Sequence, residues 1–134
     1  MGNPLCYRDA STADTPEEMF ARIDEAAHYA ETGIQVMPIN TMFQLYARKK
    51  ENEAWLREAR HLLFMPDLFA YYLTGVPGNE YCIASTSELL DARRRTWNMP
   101  LIRELGLPEH LFGELLEREL SVGRCARKSL PRSA

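Results

Sequence analysis

The side chains best suited to nucleophilic or metal chemistry here are three cysteines and three histidines, and their spacing argues against both uses. Cys6, Cys82 and Cys125 are odd in number and form no CxxC pair, so neither a disulfide framework nor a zinc site is expected. His28, His61 and His110 are equally scattered, with no HExxH pair and no i,i+4 partner to share a metal. The sequence has no GxGxxG, no Walker-type glycine loop ending in Lys-Ser/Thr and no GxSxG, so neither a phosphate cradle nor a nucleophile elbow can be named. Arg93, Arg94 and Arg95 form a tight basic cluster, but no glycine-rich or aromatic platform accompanies them. A solvated loop is expected there, not a nucleic-acid contact.

The elements that must position any site belong to one domain. The 134 residues are 46% apolar and 26% charged, enough for a single core, and 16 basic against 19 acidic groups give a net charge of −3. That balance provides no global field for nucleic acid or an anionic membrane, and neither is expected as a partner. No apolar run reaches the roughly 18 to 20 residues of a membrane span, and the opening MGNPLCYRDA lacks a secretory signal, so a cytoplasmic protein is expected. Residues 124–134 carry four basic groups and no acid and lose apolar periodicity; a basic, disordered tail is expected there.

Helical signals dominate. Thr15, Pro16 and Glu18 predict a capped helix running to about Thr32, with Met19, Phe20, Ile23, Ala26, Ala27 and Ala30 on its apolar face. Residues 34–38 read as a buried extended connection closed by Pro38. Thr41 and Gln44 predict a second capping box, opening a helix that carries Met42, Phe43, Leu45 and Tyr46, ends its first half at a basic run, and resumes at Glu53. Residues 61–65 read as a brief strand or connection. A helix follows with Leu68, Phe69, Tyr72 and Leu73 inward and Asp67 as its N-cap, and residues 76–79 form a turn. Ser85 and Glu88 suggest a weaker capping box, residues 91–98 an exposed polar stretch. Two short helices close the chain, the second opened by Pro108 with Leu111, Phe112, Leu115 and Leu116 buried. Trp55, Tyr71 and Tyr72 are expected in the core. Extended segments are too few for a sheet of normal size, which fits either a compact helical domain or the helical portion of a larger one.

The order of the local patterns resembles the rhamnulokinase group of the FGGY carbohydrate kinases. YRDAST at residues 7–12 resembles that group's YRDxRT segment, and TGIQVMPINT at 32–41, followed by Gln44, Leu45 and Tyr46, is similar to its TGIQxxPxNTxxQL stretch. LFMPDL at 63–68 with YLTG at 72–75, NEYCIAST at 79–86 with LLD at 89–91, and LGLP at 105–108 resemble further segments in the same order. Ser11 stands where Arg is usual, and Ile83 where Asn is usual. Cys82 replaces a small polar residue and is read as buried packing.

The resemblance implies a mostly helical α/β fold: the middle and later part of an actin-like, ribonuclease-H-like N-terminal kinase domain, over residues 1–123. It implies an ATP-dependent kinase that converts L-rhamnulose to its 1-phosphate in rhamnose catabolism, with this chain supplying part of the sugar-binding side and no catalytic residue. It places Tyr7 with its ring against the sugar, Arg8 and Asp9 as donors and acceptors to hydroxyls, and Ile39, Asn40 and Gln44 along the sugar-lining segment. Mg-ATP would be the cofactor of the full-length kinase, held by none of these residues. Missing kinase segments or a companion chain would complete it, and the chain alone is expected to be inactive. The alternative is a non-catalytic helical module, derived from such a kinase, that binds a protein through uncovered apolar faces.

Overall fold

The computed structural model describes residues 6–8 and 10–117. A turn of 3-10 helix at Ala10–Thr12 buries Thr12 and leads into α1 (Thr15–Phe20). Pro16 occupies the first turn as its missing N–H allows, but the cap position belongs to Asp14, and Glu18 pairs with Lys50 at 2.5 Å instead of closing a capping box. The single helix expected to reach Thr32 is two. Asp24 breaks it, because its carboxylate accepts from the Ala27 N–H at 2.6 Å and caps a new helix, α2 (Glu25–Thr32). α2 stops at Gly33, whose φ of 67° is open to glycine at little steric cost.

Residues 34–37 form an irregular connection that enters a turn at Pro38; Gln35, Met37 and Pro38 are exposed, and Ile34 and Val36 are only partly buried where full burial was expected. α3 (Thr41–Glu58) follows, and its first half buries Met42, Phe43, Leu45, Tyr46 and Ala47. It kinks at Asn52 (φ −156°, ψ 85°), just after the basic run where the sequence predicts a break; Asn52 Oδ1 accepts from the Trp55 N–H at 3.2 Å and restarts the helix. The Thr41–Gln44 capping box does not form, because Asn40 holds the cap position, and the Gln44 side chain turns to the Ile39 carbonyl; the orphan N–H of Met42 is satisfied by the Ser87 carbonyl at 3.0 Å.

α4 (Met65–Thr74) reverses its expected polarity. Phe69, Tyr72 and Leu73 are 62%, 71% and 61% exposed, whereas Asp67 is buried. Nor does Asp67 cap the helix: Phe64 takes that position, and Asp67, in the first turn, accepts from the Glu80 N–H at 3.1 Å. Four two-residue strands, two short helices and a second turn of 3-10 helix (Glu109–Leu111, in place of the helix expected after Pro108) complete the described chain: β1 (Asn79–Glu80), α5 (Tyr81–Ser85), β2 (Leu90–Asp91), β3 (Thr96–Trp97), α6 (Met99–Glu104) and β4 (Leu115–Leu116). β1 pairs with β4 in parallel, Asn79 opposite Leu115, and β2 pairs with β3 antiparallel, Leu90 opposite Trp97. Leu115 and Leu116 are thus strand residues, not a helix face.

The Ser85–Glu88 capping box is also absent, since Glu88 turns into the core with φ 63°. Residues 91–98 form a hairpin whose arginines are exposed but whose Trp97 and Asn98 are buried. The Trp97 indole donates to the Gly113 carbonyl at 2.7 Å, and Asn98 donates to Glu31 at 2.7 Å while capping α6. Met19, Met42, Phe43, Leu89 and Ile102 are the apolar centre on which α1, α3 and α6 converge. Each such side chain contributes about 1.5–3 kcal/mol through removal from water. Cys82 is exposed rather than packed inside. The tail expected at 124–134 lies outside the described residues. Among those described, no helix is long and apolar enough to cross a membrane.

Candidate functional site

A cavity of about 770 Å³ opens between the start of the described chain, α3 and the segment leading into α4. Tyr7, Ile39 and Gln44 share its wall, together with Thr41, Arg48 and Trp55. Leu45, Leu56, Leu62, Phe64 and Leu111 make its other surfaces apolar. Ile39 sits one residue before the cap of α3 and Gln44 one turn into it, so the helix start sets both. The Gln44 amide donates to the Ile39 carbonyl at 2.5 Å, which orients the side chain and leaves its own carbonyl oxygen as an acceptor.

Tyr7 is 49% exposed, and the Arg8 guanidinium lies 5.2 Å from its ring centroid, covering part of the ring by a cation–π contact. Asp9 lies outside the described residues. Asn40 stands behind the wall: it is buried, holds the cap position of α3, and donates to the Gln35 carbonyl at 3.1 Å and to Glu88 Oε1. Both amide hydrogens are thereby engaged away from the cavity.

Among the wall residues that sequence reasoning missed are Trp55, Arg48 and His61. Trp55, assigned to the core by its aromatic character, is 52% exposed on the cavity because the Asn52 kink turns the second half of α3. Arg48 reaches the wall while bonded to Glu51 at 2.5 Å, and His61 joins it from the next connection. The kink was legible from the basic run; the direction in which it sends Trp55 was not. Tyr71 and Tyr72 are likewise surface residues rather than core, their rings 6.2 Å apart on α4.

A second, smaller cleft of about 370 Å³ lies beside α2 and α6 and mixes Arg22 and Arg94 with Asp24, Glu31, Asp91 and Glu104. Mixed signs in one open cleft favour no particular charged ligand. Among the described residues no three His, Cys, Asp or Glu side chains stand together to hold a metal.

Two pairs of short strands among helices, with a cavity beside the start of α3, form part of an α/β sugar-kinase fold. The xylulose kinase from Rhodospirillum rubrum superposes with a TM-score of 0.79 at 18% identity, over 87% of this chain and 24% of that one. The model for the FGGY family of carbohydrate kinases, N-terminal domain, matches residues 1–130, and the chain belongs to this family. It is 41% identical over 113 residues to a rhamnulokinase of Bacteroides thetaiotaomicron, covering 84% of this chain and 23% of that protein. A rhamnulokinase of Oceanobacillus iheyensis is 38% identical over 119 residues, covering 89% and 25%. The chain thus spans about a quarter of the length of the curated relatives it matches.

Proposed function

We propose that this chain forms part of the sugar-binding side of a carbohydrate-kinase cleft and that the ketose is L-rhamnulose, phosphorylated on O1 by Mg-ATP in the whole protein. The observation that carries this reading is the convergence of Tyr7, Ile39 and Gln44 on one cavity. Tyr7 packs its ring on the C–H face of the sugar and bonds a hydroxyl through its own OH. Gln44 accepts from a second hydroxyl, and Ile39 with the apolar wall suits the methyl group of a 6-deoxy sugar. Arg8 and Asp9 supply donors and acceptors to hydroxyls, and Asn40 acts through the backbone it holds. Transfer itself requires an in-line base, metal-bound phosphates and a closed cleft, none of which these residues provide.

The test is a titration of the ¹⁵N-labelled chain with L-rhamnulose, following the Gln44 side-chain amide and the Trp55 indole N–H. A saturable shift is expected, with Tyr7→Ala weakening it about tenfold, or about 1.4 kcal/mol. No saturable shift in the unaltered chain overturns the reading. The exposed apolar residues of α4 favour a second reading, a helical protein-interaction module. A stable stoichiometric complex with a protein, formed without sugar binding, is the result that selects it.

A further inference from the structure

The most constrained polar group in the described chain is Glu88. Its side chain is fully buried, and its backbone adopts φ 63°, a conformation uncommon for any residue but glycine, asparagine or aspartate. Three groups from other segments converge on its carboxylate. Asn40 Nδ2 donates to Oε1, the Met37 N–H donates to the same oxygen at 3.4 Å, and His28 Nε2 of α2 stands 2.9 Å from Oε2. The residue before it, Ser87, accepts the Met42 N–H at the start of α3.

We infer that Glu88 is a positioning residue for the cavity wall, on the reading of that wall as the sugar side. The path is short. Glu88 holds Met37 and Asn40, which bracket Pro38 and Ile39. Ile39 presents its carbonyl to Gln44, and Ile39 and Gln44 both face the cavity. A residue serving only the core would be replaceable by an apolar side chain. Here the carboxylate matches the donors of the one segment that joins α2 to α3, and the left-handed backbone aims it there. Its removal frees the 37–40 segment to swing, carrying Ile39 off the wall and releasing the Gln44 amide.

The 134-residue chain tests this as the unaltered protein, Glu88→Gln and Glu88→Ala, with Ile102→Val as a core control that does not line the cavity. Hydrogen exchange is read at the amides of residues 39–44 relative to that of Leu105, and L-rhamnulose affinity at the Gln44 side-chain amide. Glu88→Ala should speed exchange at 39–44 about tenfold over Leu105 and weaken the sugar about tenfold. Glu88→Gln, which keeps an acceptor for Asn40, should show about a threefold change in each. Ile102→Val should leave both ratios unchanged. Exchange that rises evenly across the chain in the Glu88 variants overturns the inference. Should the alanine variant not fold, Glu88→Gln decides by the same criterion. If the unaltered chain binds no L-rhamnulose, the sugar reading fails, and the exchange pattern alone decides whether Glu88 positions this wall.

Discussion

The first half of α3 and the whole of α4 are built from similar apolar material, yet they end in opposite environments. Met42, Phe43, Leu45 and Tyr46 lie in the core, with Phe20 meeting Phe43 edge-on at 6.1 Å. Met65, Phe69, Tyr72 and Leu73 stand in solvent, and the buried residue of α4 is an acid. A carboxylate anchors each helix: Glu88 secures the approach to α3, and Asp67 ties α4 to β1. The difference teaches that an apolar helical face is a demand for a partner, and that burial follows only where another element is placed to meet it.

Truncating a side chain in each helix would break or sharpen that contrast. Phe43→Ala should cost about 3–5 kcal/mol in a urea-unfolding measurement, since it removes a fully buried ring and leaves a cavity. Asp67→Ala should cost about 1–3 kcal/mol, because the Glu80 N–H loses its acceptor and Asn79 loses a bond, 3.4 Å long, from its amide. Phe69→Ala should move the midpoint by no more than about 0.5 kcal/mol, as befits an exposed side chain. A loss at Phe69 as large as that at Phe43 would erase the contrast and require a covered α4.

The smallest effect belongs to the Arg103–Glu109 pair, 2.9 Å apart and largely in solvent. The hydrogen bond from Arg103 holds the Glu109 carboxyl below its ordinary value, its charge adds to this, and slight burial opposes it. A lowered folded value means that the pair's stabilisation is present above the ordinary carboxylate range and is lost as pH falls through the lowered one. Arg103→Ala should return Glu109 to its ordinary titration in a carbon-detected NMR experiment, with no measurable change in the unfolding midpoint at neutral pH.

Much of the helical outline was legible because its signals are local. Pro16 marked the opening of α1, Gly33 and Gly75 the ends of α2 and α4, and the basic run the approach to the Asn52 kink. The shortage of strands was legible too, and the pairs observed are only two residues long. Asp24 was available as a cap but was passed over because the apolar period continued through it. Glu88 resembled a capping-box acid in Ser85–Glu88, and Asp67 an N-cap. Their real partners, His28 and Asn40 for one and Glu80 for the other, lie 60, 48 and 13 residues away in the chain.

For the cavity, the sequence pointed to Tyr7, Ile39 and Gln44 through the resemblance of short segments, and the fold set these three on one wall. It did not reveal that Asn40 would spend its amide on Glu88, or that Trp55 would face outward beyond a kink. What the sequence by itself determined was where helices begin, bend and stop, since caps, prolines and glycines act over three or four residues. Tertiary structure alone decided which apolar faces found cover and which acids were buried. Those outcomes depend on contacts between segments far apart in the chain, for which no local spacing is a signal.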